Sequence, residues 1–450
     1  MKPVDPVLIG AASAFSGDRW DAAPPVVDTL IRRQRPSFLI YETLAERTLA
    51  LGQLAKRKQP DAGYDPWLEQ ILQPVLARCL AHKIRIVGNF GSANPRAAAL
   101  RIREMAKESG LAPPRIAVVI GDDVSGIEHR PVFRQALGSA FNESRMVAAN
   151  AYLGADSIAD AIQDGADIVV TGRVADSSLT LGPLLAHYGW RRDDWTRRAR
   201  GLMAGHLLEC GTQITGGYFA DPGFKDVPGL DRLGYPILEI DEHGDCVIGK
   251  ADETGGFVTP ATVKEQLLYE IDDPSAYVAP DGIADLTQCS VEDLGADRVQ
   301  LRGIRGRPWP EQLKVLVCQE GGWLGEGEIS YAGPRAEARA RLAADIVRQR
   351  MGHLLDLRID LIGVMSILAD DRGHSLAALP PTHACDVRLR IAGVHDDQSI
   401  ADRIGREVTA LYTCGPAGGG GVRTSLRSRL DTLPCFLPRT AVPSTYEMLQ

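Results

Sequence analysis

A His–Glu spacing, several isolated carboxylates and a run of four glycines are the features of this 450-residue chain with the clearest chemistry. Gly201 to Gly217 reads GLMAGHLLECGTQITGG, and Leu202, Met203, Leu207 and Leu208 predict a short helix that stops near Gly211. On a helix His206 and Glu209 are three residues apart and share a face, with Cys210 close by. Such a pair can move protons, ligate a metal, or sit buried in a structural role. No third ligand is near in sequence, and no His/Asn signature of a cysteine enzyme accompanies Cys210 as a nucleophile. Asp18, Glu42 and Asp176 are further carboxylates for acid–base work. Arg19 and Arg173 are suited to clamping a carboxylate, while Asn89, Asn94 and Glu253 are polar candidates for holding substrate. Cys414 to Arg423 reads CGPAGGGGVR. The backbone N–H groups of Gly418, Gly419, Gly420 and Gly421, followed by Arg423, can wrap a phosphate or an oxyanion, or the stretch is a linker or a close-packing turn. It lacks the P-loop pattern, and the first strand's loop lacks G-x-G-x-x-G.

The elements that must position these groups alternate. Short apolar runs at Val7–Ile9, Phe38–Tyr41, Ile84–Val87, Ile116–Ile120, Met146–Ala148 and Ile168–Val170 fit strands buried on both faces. Between them lie helical patterns, including Leu44 to Lys56 and Trp67 to His82, and a helix after Asn94-Pro95 with Asn94 as N-cap. Strand alternating with helix predicts a mostly parallel sheet built by right-handed crossovers. Asp18-Arg19, Glu42, Asn89, Asn94, Arg173 and Asp176 each follow a predicted strand. The carboxyl ends of parallel strands form one edge, so these loops are expected to converge on a crevice. The fold class is therefore α/β, with an N-terminal open, mostly parallel sheet flanked by helices. A βα barrel is the alternative, but six strands are too few for eight.

From about Gly234 the texture changes. Pro236–Asp241 and Cys246–Gly249 read as a hairpin, Thr259-Pro260 opens a helix, and later strands and long helices give an α+β half. The expected division is residues 1–215 and 216–450. Arg191-Arg192 and Arg197-Arg198-Ala199-Arg200 read as a solvated basic face interrupted by Asp193-Asp194.

Composition narrows the function classes. The chain is 44% apolar and 24% charged, an ordinary globular balance. A net charge of -8 argues against a nucleic-acid partner. No apolar run approaches the roughly 20 residues of a membrane span, and no signal-peptide core is evident. Eight cysteines without a C-x-x-C pair fit reduced thiols and a cytoplasmic location.

The motifs together resemble the acyclic terpene utilisation family. The matching stretches are Ser16–Arg19, Glu42 with Leu44–Thr48, Asn89 with Asn94-Pro95, Thr171–Asp176, Gly205-His206 with Glu209–Gly211, Glu253–Gly256, Glu265–Glu270 and Gly415–Arg423. The resemblance spans about residues 5–443 and implies breakdown of branched acyclic terpenoid acids as CoA thioesters, without fixing one reaction. Many relatives continue past the glycine-rich loop into a small ferredoxin-like domain, so a separate small ferredoxin-like subunit is one expectation and its absence another. The leading expectation is a lyase adding or removing water on a carboxylate or acyl-CoA, in a crevice between the two halves. No cofactor is needed for this chemistry. The alternatives are a non-catalytic binding or scaffold subunit of an acyl-CoA carboxylase or hydratase complex, and a metal-dependent hydrolase using a divalent metal on His206 and Glu209. A homo-oligomer is expected.

Overall fold

The computed structural model describes residues 5–449. The chain divides into two compact units: unit 1 runs to Phe141 and includes Val147–Val317 and the chain from Thr432 onward, and unit 2 comprises Asn142–Met146 and Cys318–Asp431. Residue 215, the expected boundary, lies inside unit 1, because the hairpin after it pairs with the first strand.

The strands in chain order begin with β1 (Val7–Ala11), β2 (Ser37–Tyr41), β3 (Arg85–Gly88), β4 (Ile116–Ile120), β5 (Met146–Ala151) and β6 (Ile168–Val170). They continue with β7 (Pro236–Ile240), β8 (Cys246–Lys250), β9 (Tyr277–Ala279), β10 (Gly282–Asp285), β11 (Ser290–Gly295) and β12 (Arg298–Arg302). The last are β13 (Arg305–Arg307), β14 (Gln312–Ala332), β15 (Arg358–Ile362), β16 (Asp386–His395), β17 (Gly420–Pro438) and β18 (Thr445–Met448). Unit 1 is organised by a ten-stranded mixed sheet in the order β11-β12-β8-β7-β1-β2-β3-β6-β4-β18. The sheet has two free ends, so it is open and the barrel alternative does not hold. Strands β1, β2, β3, β6 and β4 are parallel neighbours, while β7 joins β1 antiparallel and β18 joins β4 antiparallel.

Only five of the six expected parallel strands lie in this sheet. β6 pairs with both β3 and β4 and takes the slot between them, and β5 pairs instead with β14. Periodicity marks Met146–Ala148 as a buried strand but does not say which sheet receives it. The parallel strands are buried except at Arg85 and Ile120, with Leu8, Leu39, Ile86, Val118, Ile168 and Val170 packing against the helical residues Val26, Leu30, Leu72, Ala98 and Ile102.

Two local expectations change. The pattern from Trp67 to His82 is two short helices, Leu68–Leu72 and Leu76–Ala81. Pro74 lies between them, and its missing N–H and ring bulk interrupt a continuous helix. The basic cluster is not all solvated: Arg198 is completely buried. Its guanidinium bonds Asp281 at 2.8 Å and Asp156 at 2.9 Å, and its Nε–H donates to the Asp281 carbonyl at 3.0 Å.

Unit 2 has strand β14 entering from Cys318, the helix Ala336–Met351, β15, β16, the helix Gln398–Cys414 and then β17. The sheet order is β15-β16-β14-β17. Strand–helix–strand–strand–helix–strand with the first strand beside the last is the ferredoxin-like arrangement. It therefore occurs inside this chain, with the glycine-rich loop leading into its last strand. Ile329, Tyr331, Leu389 and Ile391 from the strands pack with Ala340, Val347, Ile404 and Val408 from the two helices.

Candidate active site

The loop after β6 carries the most tightly held side chain of the site. Asp122, at the end of β4, accepts the Arg173 backbone N–H at 2.9 Å and an Asn150 amide hydrogen at 2.9 Å, which fixes the turn. Arg173 is 1% exposed. Its Nε–H donates to the Val174 carbonyl at 2.8 Å, and its terminal nitrogens reach the Leu44 carbonyl after β2 and the Asp176 carboxylate. The guanidinium also lies over the Tyr152 ring, 4.6 Å from its centre. Arg173 thus ties the loops after β2, β5 and β6 together and aims Asp176 outward into a cavity.

The helix Trp195–Glu209 presents the second group. Asp194 caps it by accepting the Arg197 N–H at 3.1 Å. Gly205 lets it approach the loop after β6: a Cβ there would lie 2.5 Å from the Ser177 carbonyl oxygen and 2.6 Å from its Cα. Both are backbone atoms and cannot swing aside. Gly205→Ala is expected to cost about 1–3 kcal/mol by overpacking, read as a lowered urea midpoint. One residue on, His206 Nδ1–H donates to Glu209 Oε1 at 2.8 Å, as their helical spacing predicts. His206 is 1% exposed, and its Nε2 is buried without a hydrogen-bond partner. Burial disfavours the imidazolium, but the adjacent Glu209 carboxylate more than offsets this, and the net effect raises the His206 pKa. The Tyr277 ring lies tilted at 48° to the imidazole, with ring centres 5.3 Å apart.

Asp176 and Glu209 line one cavity of about 570 Å³, together with Tyr152, Glu270, Tyr277 and Lys314. Its remaining wall includes Leu313, Val278, Pro280, Pro310 and Phe436. The volume lies in the usual range for small-molecule pockets, about 300–1,000 Å³. Lys314, at the start of β14, holds its ammonium 4.7 Å from the Tyr152 ring centre and 3.7 Å from Glu46 Oε1. The Tyr152 hydroxyl donates to Glu46 at 2.8 Å. Asp176 titrates above the usual carboxylate range, chiefly through burial, with Arg173 opposing and Glu209 adding to the rise.

Glu42 sits behind this site, 6% exposed. Its Oε1 accepts the Leu44 N–H at 2.8 Å and an Asn89 amide hydrogen at 2.9 Å. Asn89 is held in turn by the Thr43 N–H, which donates to its Oδ1 at 2.7 Å. Burial first, and the nearby Asp176 charge second, push the Glu42 carboxyl well above its ordinary value. In the unfolded chain that carboxyl ionises as a solvated glutamate does, near pH 4.3, an approximate reference of about that size. Between there and the raised folded value the folded state binds more protons, so this group lowers stability as pH rises through that window. Glu42→Gln keeps an acceptor oxygen and removes the ionisation. The variant is expected to match the parent near pH 4 and to exceed it by on the order of 1–3 kcal/mol at alkaline pH, measured by urea unfolding across pH.

The other candidates lie elsewhere. Asp18 accepts the Ala14 N–H at 2.8 Å, the Arg19 N–H at 2.7 Å and the Tyr235 hydroxyl at 2.7 Å, so both its oxygens hold the loop after β1. Arg19 donates to the Leu230 carbonyl at 3.0 Å. Asn94 caps the helix Pro95–Glu108 by accepting the Ala97 N–H at 3.4 Å, and its amide holds the Pro60 and Ala62 carbonyls. Cys210 follows the dyad, but burial pushes its thiol up to about 12, away from the thiolate. Glu253 is exposed, in a left-handed backbone conformation at φ 62°. Gly418, Gly419, Gly420, Gly421 and Arg423 belong to unit 2. There Gly418 takes φ 75° beside Arg339, and a Cβ at Gly419 would lie 2.8 Å from Ile329 and 3.2 Å from the Tyr331 ring. Close packing is what these two glycines do. Arg423 is exposed on β17. Among the described residues no group of three or more His, Cys, Asp or Glu is arranged to hold a metal ion, and no helix is long and apolar enough to cross a membrane.

Glu270, Tyr277 and Lys314 were not among the candidates drawn from sequence, and Tyr152 was reached only as a polar residue after the fifth predicted strand. Tyr152 follows an apolar run and Glu270 ends one of the quoted family stretches. Tyr277 and Lys314 carry no local signal.

Fold and site define an open-sheet α/β protein whose ionisable groups converge on a partly apolar cavity at the carboxyl ends of its parallel strands. The chain belongs to the acyclic terpene utilisation family: the family model for acyclic terpene utilisation family protein AtuA matches residues 7–448. No curated protein and no solved structure matches the chain.

Proposed function

We propose that this protein is an enzyme of branched acyclic carboxylate or acyl-CoA breakdown that adds or removes water. The observation that carries this reading is the meeting of Asp176, the His206–Glu209 dyad and Lys314 around one cavity whose other wall is apolar. The apolar wall suits a branched hydrocarbon chain. Proton transfer needs one group that holds a proton near neutral pH and one that accepts it. Asp176, raised to about 6 chiefly by burial, suits the first role in its protonated form, which grows on the acid side of neutrality. Glu209, oriented by the His206 Nδ1–H, suits the second.

In the dehydration direction Glu209 takes the proton from C2 of a 3-hydroxyacyl substrate. The C2–H electron pair becomes the C2=C3 bond, the C3–O bond breaks, and the departing hydroxide takes the Asp176 proton and leaves as water. The Lys314 ammonium stabilises the negative charge that builds on the carboxylate or thioester oxygen. Hydration runs the same steps backwards.

The test is to incubate the purified protein with branched 2-enoyl-CoA and 3-hydroxyacyl-CoA thioesters and the corresponding free acids, and follow interconversion by mass spectrometry. Gain or loss of one water supports the reading. No turnover of any of them, with stable co-purification of a carboxylase or hydratase, would overturn it in favour of a non-catalytic subunit.

A further inference from the structure

Strand β17 closes the unit 2 sheet as its last strand. It is 19 residues long. Within unit 2, Arg423, Thr424, Ser425, Arg427, Ser428 and Arg429 are exposed, and Leu426 and Leu430 are half-buried. The helix Gln398–Cys414 lies on one of its faces, where a Cβ at Gly405 would come 3.1 Å from Thr424. Beside the strand start, Tyr412 is 54% exposed, and its hydroxyl accepts the Val422 N–H at 3.1 Å. On the opposite face Ser425 donates to Glu326 at 2.8 Å, and Arg427 also pairs with Glu326. A long edge strand leaves a row of unpaired N–H and C=O groups, which is a template for another strand. The arginines on it set which partner fits.

We infer that this edge is where a second copy of the chain docks, β17 against β17, antiparallel about a two-fold axis through Arg427. Side chains facing each other across an antiparallel pair must share a sheet face, so the register pairs residues of equal parity. With Arg427 on the axis, Arg423 of each copy faces Asp431 of the other, and Ser425 faces Arg429. Two Arg–Asp pairs form by symmetry. Each Arg427 stays paired with its own Glu326, which Arg390 and Ser425 also hold, so Arg427 reaches the axis inside an ion network and not as a lone cation. Shifting the axis by one residue either way, to Leu426 or Ser428, loses both Arg–Asp pairs and sets arginines opposite each other (Arg423 facing Arg429, or Arg427 facing Arg429). The two-fold pairing is closed, so the edge is consumed and does not propagate into a fibre.

The register is testable in the full-length protein. In a background with the exposed Cys385 and Cys414 changed to Ser, Arg427→Cys puts two thiols opposite each other, with Cα atoms about 4.5–5.5 Å apart. Mild oxidation is expected to give a disulfide-linked dimer on a non-reducing gel. Arg423→Cys places its thiols eight positions apart, about 27 Å at 3.4 Å per residue, and is expected to give none. Sedimentation equilibrium then reads the charge pairs. Arg423→Asp is expected to weaken the dimer about tenfold, and Arg423→Asp with Asp431→Arg to restore it. A monomer at tens of micromolar, no cross-link at 427, equal cross-linking at 423 and 427, or a dimer indifferent to the charge swaps would each overturn the assignment. The cross-link stands independently should a charge variant fail to fold.

Discussion

Replacing Glu209 with glutamine is expected to lower kcat for water addition to a branched 2-enoyl thioester by about 10²–10⁴-fold, the usual worth of a positioned acid–base group. The loss should fall on kcat and not on KM, because the carboxamide keeps the size of the side chain and an acceptor for His206 Nδ1–H. The structure gives a second readout. His206 has its pKa raised against the pull of burial by the Glu209 charge. Without that charge burial prevails, so the imidazole pKa falls. NMR titration of the His206 ring in the Glu209→Gln variant is expected to move to lower pH. A variant that keeps full turnover, or whose His206 titration does not move, would show that the pair is only structural.

The largest loss of stability is expected at Arg198. Its side chain is 1% exposed and Asp281 opposite it is 2% exposed. Arg198→Met fills much of the volume but strands the Asp281 carboxylate, which would then hold only the Ala155 N–H at 2.9 Å and the Ser178 hydroxyl. Removing one partner of a buried ion pair typically costs about 3–5 kcal/mol. Against a total of about 5–15 kcal/mol for a folded protein, that is a large fraction. Urea unfolding measures it. Arg198→Met with Asp281→Asn removes the uncompensated charge and is expected to recover part of the loss. Equal loss in the single and double variants would mean that packing around Arg198, including its approach to the Trp309 ring at 5.2 Å, outweighs the charge pair.

Arg198 also marks the boundary between what sequence can and cannot tell. It sits among basic residues, where a solvated face is the natural reading. Its main partner is 83 positions away in sequence, and no local pattern announces a buried pair of that separation. The His206–Glu209 contact was legible for the opposite reason: the helical repeat alone brings residues three apart together. Arg173 and Asp176 are three apart as well, and the strand before them was marked by its apolar run. Lys314 and Tyr277 come from strands whose only signal is apolar residues, and nothing in such a run says which of its polar neighbours will face a cavity. The strand alternation was readable, yet the sheet assignment of β5 was not, because burial on both faces looks the same in any sheet. The ferredoxin-like arrangement of unit 2 was hidden in part by β17, whose exposed arginines and serines carry little of the apolar signal that marks a strand.

The edge strand β18 sets a constraint on biosynthesis. It covers β4 through pairs running from Thr445 opposite Ile120 to Met448 opposite Ala117. The ribosome must therefore make some 325 further residues after β4 before its covering strand exists. At about 5–20 residues per second, this takes roughly fifteen seconds to a minute. Throughout that interval the nascent chain displays an apolar strand with at least one flank open, and with both open until β6 is made. Production in a heterologous host should accordingly depend on translation speed and on chaperones that shield nascent chains, more than the stability of the finished protein would indicate.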